Sequence, residues 1–212
     1  LNDFNPQDAQ HIVNHSDSVL LFTDPGIWES IDYDKLPKVK AVFSLTNGEL
    51  LAESEESEEI VLNAMRNLSS IFNTKYRNGF SREDIKYPDV DSESLAVINY
   101  TSGTTGFSKG VMLSYNNLCG NVIYGINANL HFRGSRCVSF LPLAHAYGCA
   151  FDMLVPLAVG THITLLGKLP SPKILLKAMS EIRPNLVICV PLILEKIYRK
   201  QIVPMITKKN IL

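Results

Sequence analysis

Six short runs of β-branched and other apolar residues recur along the chain, at 19–22, 39–45, 95–100, 137–141, 161–166 and 186–190. Between them lie longer stretches with apolar residues at helical spacing, at 8–15, 61–72, 116–130, 151–159, 174–182 and 192–201. Strands that alternate with helices build parallel sheets, because a parallel strand needs a crossover and the crossover is usually a helix. Several runs are apolar on successive positions, as expected of strands covered on both faces. The predicted fold is therefore α/β: a mostly parallel sheet flanked by helices. With 212 residues, 46% of them hydrophobic, the chain can bury a sizeable core, which excludes wholesale disorder. No run of about 18 apolar residues occurs, so a spanning helix is not expected.

Charge divides the chain unevenly. Residues 1–100 carry 18 Asp and Glu against 8 Lys and Arg, whereas residues 101–212 carry 3 against 12. The basic half could meet a polyanion, but its bases are scattered among apolar segments, which argues against a nucleic-acid surface. Residues 1–93 read as an acidic helix–strand segment closed by a polar linker at 77–93, and residues 94–212 as a basic α/β segment. Val61, Ala64, Met65, Leu68, Ile71 and Phe72 form an apolar stripe at helical period, and the glutamates between 53 and 59 favour that helix start. Cys119, Cys137, Cys149 and Cys189 form no CxxC pair, so buried thiols in a reducing, cytoplasmic setting are expected.

The chemistry is concentrated in Tyr100-Thr101-Ser102-Gly103-Thr104-Thr105-Gly106-Phe107-Ser108-Lys109-Gly110, directly after the third apolar run. Glycines let backbone N–H groups approach a ligand closely, hydroxyls add donors to phosphate or magnesium, and lysine adds positive charge. A Walker A loop is excluded, because Ser108 precedes Lys109 and Gly110 follows it. No GxGxxG occurs either. A Gly/Ser/Thr cluster can also be a hairpin tip that binds nothing. His145, alone in an apolar run, reads either as a core histidine or as a residue lining a site. His11, His15, His131 and His162 lack metal-ligand spacing.

The string from Tyr100 to Val111 resembles the phosphate-binding signature Y-T-S-G-T-T-G-x-P-K-G-V of the adenylate-forming enzymes, with Ser108 where proline is usual. Leu141-Pro142-Leu143-Ala144-His145-Ala146-Tyr147-Gly148 resembles the second conserved patch of that superfamily. The stretch from Arg183 to Tyr198 is similar to one in AMP-forming long-chain fatty acid–CoA ligases, with Leu192 where arginine is common. The resemblance implies a Rossmann-like layer from the large N-terminal domain of an acyl-CoA synthetase, with the C-terminal domain absent. It implies ATP, magnesium and coenzyme A as cofactor and co-substrates, and a fatty acid as substrate. Carried over by position, Thr101, Ser102, Gly103, Thr104, Thr105 and Gly106 cradle phosphate. Thr104 stands near magnesium, Lys109 steers phosphate or steadies the loop, and His145 serves the catalytic site by positioning the carboxylate or closing the acyl tunnel.

Neither G-Y-G-x-T-E nor T-G-D, the segments that in relatives help hold magnesium and ribose, occurs in the chain. The expectation is a fragment that does not complete catalysis alone, and whose uncovered apolar surface favours self-association. An aryl- or amino-acid-activating enzyme and a non-catalytic nucleotide-binding module stay open as alternatives. So do acyl length and a peripheral membrane contact.

Overall fold

Asn5 and Pro6 start the first helix by capping. Asn5 is extended, its Oδ1 accepts the Asp8 N–H at 2.8 Å, and Pro6 has no N–H to leave unpaired at the head of α1 (Pro6–His15). The computed structural model describes residues 5–101, 109–167, 170–204 and 206. They divide into two compact units, one from residues 1–90 with 100–111 and the other from 91–99 with 112–212.

In the first unit, β1 (Leu20–Thr23) is followed by α2 (Pro25–Trp28), capped by Asp24, and a 3₁₀ turn (Tyr33–Lys35). The chain then forms β2 (Ala41–Ser44) and β3 (Leu50–Glu53). The central strand β2 runs parallel to β1, from Leu20↔Ala41 to Thr23↔Ser44, and antiparallel to β3 with a bulge between Val42 and Phe43. The intervening turn needs Gly48, whose φ is 73° and whose N–H donates to the Ser44 carbonyl at 2.9 Å. Leu36, Val39 and Val42 form the core, with Trp28, Tyr33 and Leu51 packed against them. Complete burial of a side chain such as Val42 contributes about 1.5–3 kcal/mol.

The acidic start and apolar stripe give α3 (Glu58–Lys75), with Glu58 and Glu59 in its first turn. The stripe specifies a helix, yet Met65, Leu68, Ile71 and Phe72 are exposed, because no layer among the described residues packs on them. Strand burial departs from expectation in the same way. β2 is covered, whereas most of β1 is not.

β4 (Leu95–Thr101) pairs with β5 (Lys109–Ser114), a strand that the apolar pattern did not announce. Next, α4 (Tyr115–Asn127) begins at a reciprocal cap between Ser114 and Asn117. In the second unit, β6 (Arg136–Ser139) and β7 (His162–Leu165) pair in parallel. Between them run α5 (Ala146–Gly148), a π-helical turn (Cys149–Leu154) and α6 (Val155–Val159), which stops at Gly160 with φ 85°. Leu175 and Ala178 of α7 (Pro172–Ile182) complete a core with Val138, Phe140 and Leu141. The last described helix, α8 (Pro191–Ile197), continues into a π turn (Tyr198–Ile202).

Two expectations are corrected. The run at 186–190 is not a strand: only Leu186 bridges to Cys137, in parallel. Asn185 docks on Arg136 through two hydrogen bonds of 2.8 and 2.9 Å, but Val190 already caps α8, which leaves no length for a ladder. The four thiols are not all buried either. Cys137 is buried, Cys149 and Cys189 are half-buried, and Cys119 is exposed on α4. Among the described residues, no helix is long and apolar enough to cross a membrane.

Candidate functional site

The phosphate-loop candidates are bracketed by two paired strands. Thr101 ends β4 and Lys109 begins β5, and both are exposed. Ser102, Gly103, Thr104, Thr105 and Gly106 lie outside the described residues. The described chain thus runs from one strand into the next on either side of this segment. A helix dipole of the kind that serves a Walker A loop is not directly downstream. Among the described residues no carboxylate pairs with Lys109, so its charge is available to an anion. Just before the loop, the Tyr100 hydroxyl meets His15 Nδ1 at 2.7 Å, with the rings edge to face at 5.7 Å. That bond ties the end of β4 to α1.

His145 lies in a different environment, on the connection that leaves β6. Its N–H donates to the Pro142 carbonyl at 2.9 Å, and its own carbonyl accepts the Cys149 N–H at 2.9 Å. It caps α5 with its ring: Nδ1 accepts the Tyr147 N–H at 3.3 Å. The neutral ring therefore carries its proton on Nε2, which leaves Nε2–H as the ring's donor on exposed His145. Gly148 is obligatory in this turn, since a Cβ there would sit 2.5 Å from the Pro142 carbonyl oxygen. The rings of Tyr147 and Phe151 meet at 5.3 Å, and Phe151 also meets Tyr124 edge to face.

Sequence reasoning passed over Asp152. It is only 2% exposed, and its Oδ2 accepts the N–H groups of Phe140 and Leu141 at 3.3 and 3.2 Å. Burial pushes its carboxyl above the ordinary 3.8, while those two bonds and one from the Ser139 hydroxyl pull it back in part. The only available signal was a lone acid inside an apolar run. Cys137 is pushed up to about 11, first by burial and then by the negative charge of Asp152. Cys189 is raised by the same two causes. Both thiols stay protonated near neutral pH and are poor nucleophiles.

The donor set tests the implied ligands. Exposed Thr101, and a Lys109 ammonium that pairs with no carboxylate among the described residues, fit a polyanion. Among the described residues no group of three His, Cys, Asp or Glu converges.

Comparison with known proteins gives a consistent result. A family model described as "AMP-binding enzyme" matches residues 2–210. The probable acyl-activating enzyme 16 (chloroplastic) of Arabidopsis thaliana is 28% identical over 197 residues, covering 91% of this chain and 27% of that protein. The human long-chain-fatty-acid–CoA ligase ACSBG2 is 38% identical over 111 residues, covering 50% of this chain and 16% of that protein. The chain thus spans about a quarter or less of these two relatives. ATP-bound MatB from Rhodopseudomonas palustris superposes with a TM-score of 0.65 at 23% identity, covering 92% of this chain and 34% of that one; this likeness is one of fold.

Proposed function

Because the chain belongs to the family of AMP-binding enzymes, we propose that it supplies the triphosphate-holding part of a ligase that activates a fatty acid and passes it to coenzyme A. The observation that carries this reading is the loop between β4 and β5. Its sequence is rich in glycine and hydroxyl groups, and it opens on exposed Thr101 and closes on exposed Lys109.

In the first half-reaction a carboxylate oxygen attacks the α-phosphorus of ATP, the bond to the β-phosphate bridging oxygen breaks, and pyrophosphate leaves an acyl-adenylate. An anion attacks a polyanion here, so charge management is the main demand. The amides and hydroxyls from Thr101 to Gly106 hold the β- and γ-phosphates, and Lys109 offsets their charge. Magnesium, when bound with Thr104 nearby, supplies further neutralisation of phosphate oxygens. In the second half-reaction the thiol of coenzyme A loses its proton to water, its sulfur bonds to the acyl carbon, and the bond from that carbon to the phosphate oxygen breaks to release AMP. His145 offers its Nε2–H to an oxygen of the carboxylate or the acyl-adenylate, orienting it without abstracting a proton.

The test measures pyrophosphate, AMP and acyl-CoA released from ATP, dodecanoate and coenzyme A. It compares the 212-residue chain with the same chain embedded in a protein of its relatives' length. The longer protein should release AMP, pyrophosphate and thioester in equal amounts, and the chain alone should not. Failure of the longer protein with fatty, aryl and amino acids alike would overturn the ligase reading. Robust turnover by the chain alone would overturn the division of labour.

A further inference from the structure

Past the end of β6 the chain keeps a buried path. Ser139 still pairs, accepting the Leu166 N–H at 3.0 Å, but Phe140 and Leu141 have left the ladder. They are 4% and 7% exposed, so their N–H groups would be buried and orphaned without a partner. Asp152 meets this need. One oxygen, Oδ2, takes both N–H groups, and the Ser139 hydroxyl bonds to the same carboxylate. Three consecutive residues of the β6 exit are thus tied to one side chain. Those donors offset part of the hydration that the buried carboxylate loses.

The other end of the tie lies in the helix that His145 caps. Asp152 sits in the π turn between α5 and α6, where the helix phase shifts, and such turns are frequent at functional sites. Between the two ends, Pro142 is held by the His145 N–H and by the backbone of Gly148, which passes too close to admit a Cβ. The ring of His145 completes the turn by accepting the Tyr147 N–H on Nδ1. Asp152 therefore closes a loop of chain on which His145 stands exposed.

We infer that Asp152 is the positioning residue of His145: its carboxylate fastens Phe140 and Leu141 to the helix that His145 caps, and so fixes the tautomer and place of the Nε2–H that faces the substrate. The substrate part of this rests on the ligase reading above; the anchoring part does not.

Two readouts on the ¹⁵N-labelled 212-residue chain at about pH 8, where an ordinary histidine is neutral, test the inference without turnover. In the unsubstituted protein the amides of Phe140 and Leu141 should exchange slowly, and the His145 ring signals should show protonated Nε2. Exchange of these two amides at open-chain rates would overturn the anchor with no variant needed. Asp152→Asn can place its amide oxygen at Oδ2 and turn its NH₂ toward Ser139 Oγ. It should keep exchange within about threefold and keep the His145 tautomer. Asp152→Ala should speed exchange at Phe140 and Leu141 about tenfold or more, and move His145 toward the tautomer mixture of free imidazole. Exchange in β1 and β2 should be unchanged and serves as the control for general unfolding. A purely structural Asp152 would alter exchange and leave the His145 tautomer as it was, and that result would overturn the positioning role. If the ligase assay fails while these signatures hold, the reading of the reaction falls and the anchor stands.

Discussion

The loop bracket at Thr101 and Lys109 and the turn at His145 satisfy their polar groups in opposite ways. At the bracket, an ammonium and a hydroxyl stand exposed, and the described protein supplies Lys109 with no carboxylate. At the turn, every polar connection from Ser139 to Cys149 described above is made within the protein, and the His145 ring stands exposed. A region that leaves a charge exposed to water keeps it free to meet an anion at little cost to folding. A region that pairs everything internally uses folding energy to hold one group still. Substitutions at the first should change binding and spare stability, and those at the second should do the reverse.

The largest effect is expected at Gly148. Gly148→Ala puts a Cβ against the Pro142 carbonyl oxygen, which is backbone and cannot turn aside. Unfolding in urea should show a loss of about 2–3 kcal/mol, with ATP affinity in the surviving folded fraction nearly unchanged. Unchanged stability would mean that the turn is not held as described. Next comes Lys109→Glu, which reverses a charge that pairs with no described carboxylate. ATP affinity should fall about tenfold, while the urea midpoint stays in place. If the midpoint moved as much as the affinity, Lys109 would belong with the internally satisfied region.

The pH dependence sharpens the contrast further. Asp152, raised by burial, holds its proton more tightly folded than unfolded, so stability is lost as pH rises from about 3.8 through its folded value. Asp152→Asn should flatten that part of the stability curve. His131 does the opposite. It is 6% exposed, neither ring nitrogen has a described partner, and burial lowers its affinity for a proton. Its contribution is present above the ordinary histidine value of 6.5 and is lost as pH falls below it. His131→Phe should remove that acid-side loss, and an unchanged slope would show that His131 is not buried neutral. The smallest effect is chemical. Iodoacetamide at about pH 8 should label exposed Cys119 readily and leave Cys137 largely unmodified, since its thiol is pushed up to about 11. Equal labelling would contradict the buried environment of β6.

Local signals made much of this legible in the sequence. Asn5-Pro6, Ser114 with Asn117, and Ser171-Pro172 announce helix starts because caps are satisfied by neighbours in the chain. The Tyr100–Val111 string stands out because three glycines, five serine or threonine residues and a lysine fall in one short run, a signal that needs no distant partner to be read. What escaped depends on partners distant in the chain. β5 carries exposed Val111 and Met112, so its pattern gave no alternation to read. The run at 186–190 looked like a strand, but the helix starting at Pro191 left it a single bridge. The stripe on α3 specified its helix correctly and said nothing about whether a layer would cover it. Asp152 is the clearest case. Its composition-level signal is one acid among apolar residues, and its role appears only when the β6 exit folds back on the π turn.

Calorimetric titration of the chain with ATP and magnesium, repeated with Thr104→Ala and Lys109→Glu together, tests the central claim most directly. The account predicts one site per chain and a loss of at least about tenfold in the double variant, with folding intact. Identical isotherms for the two proteins, or no binding by the unsubstituted chain, would contradict it.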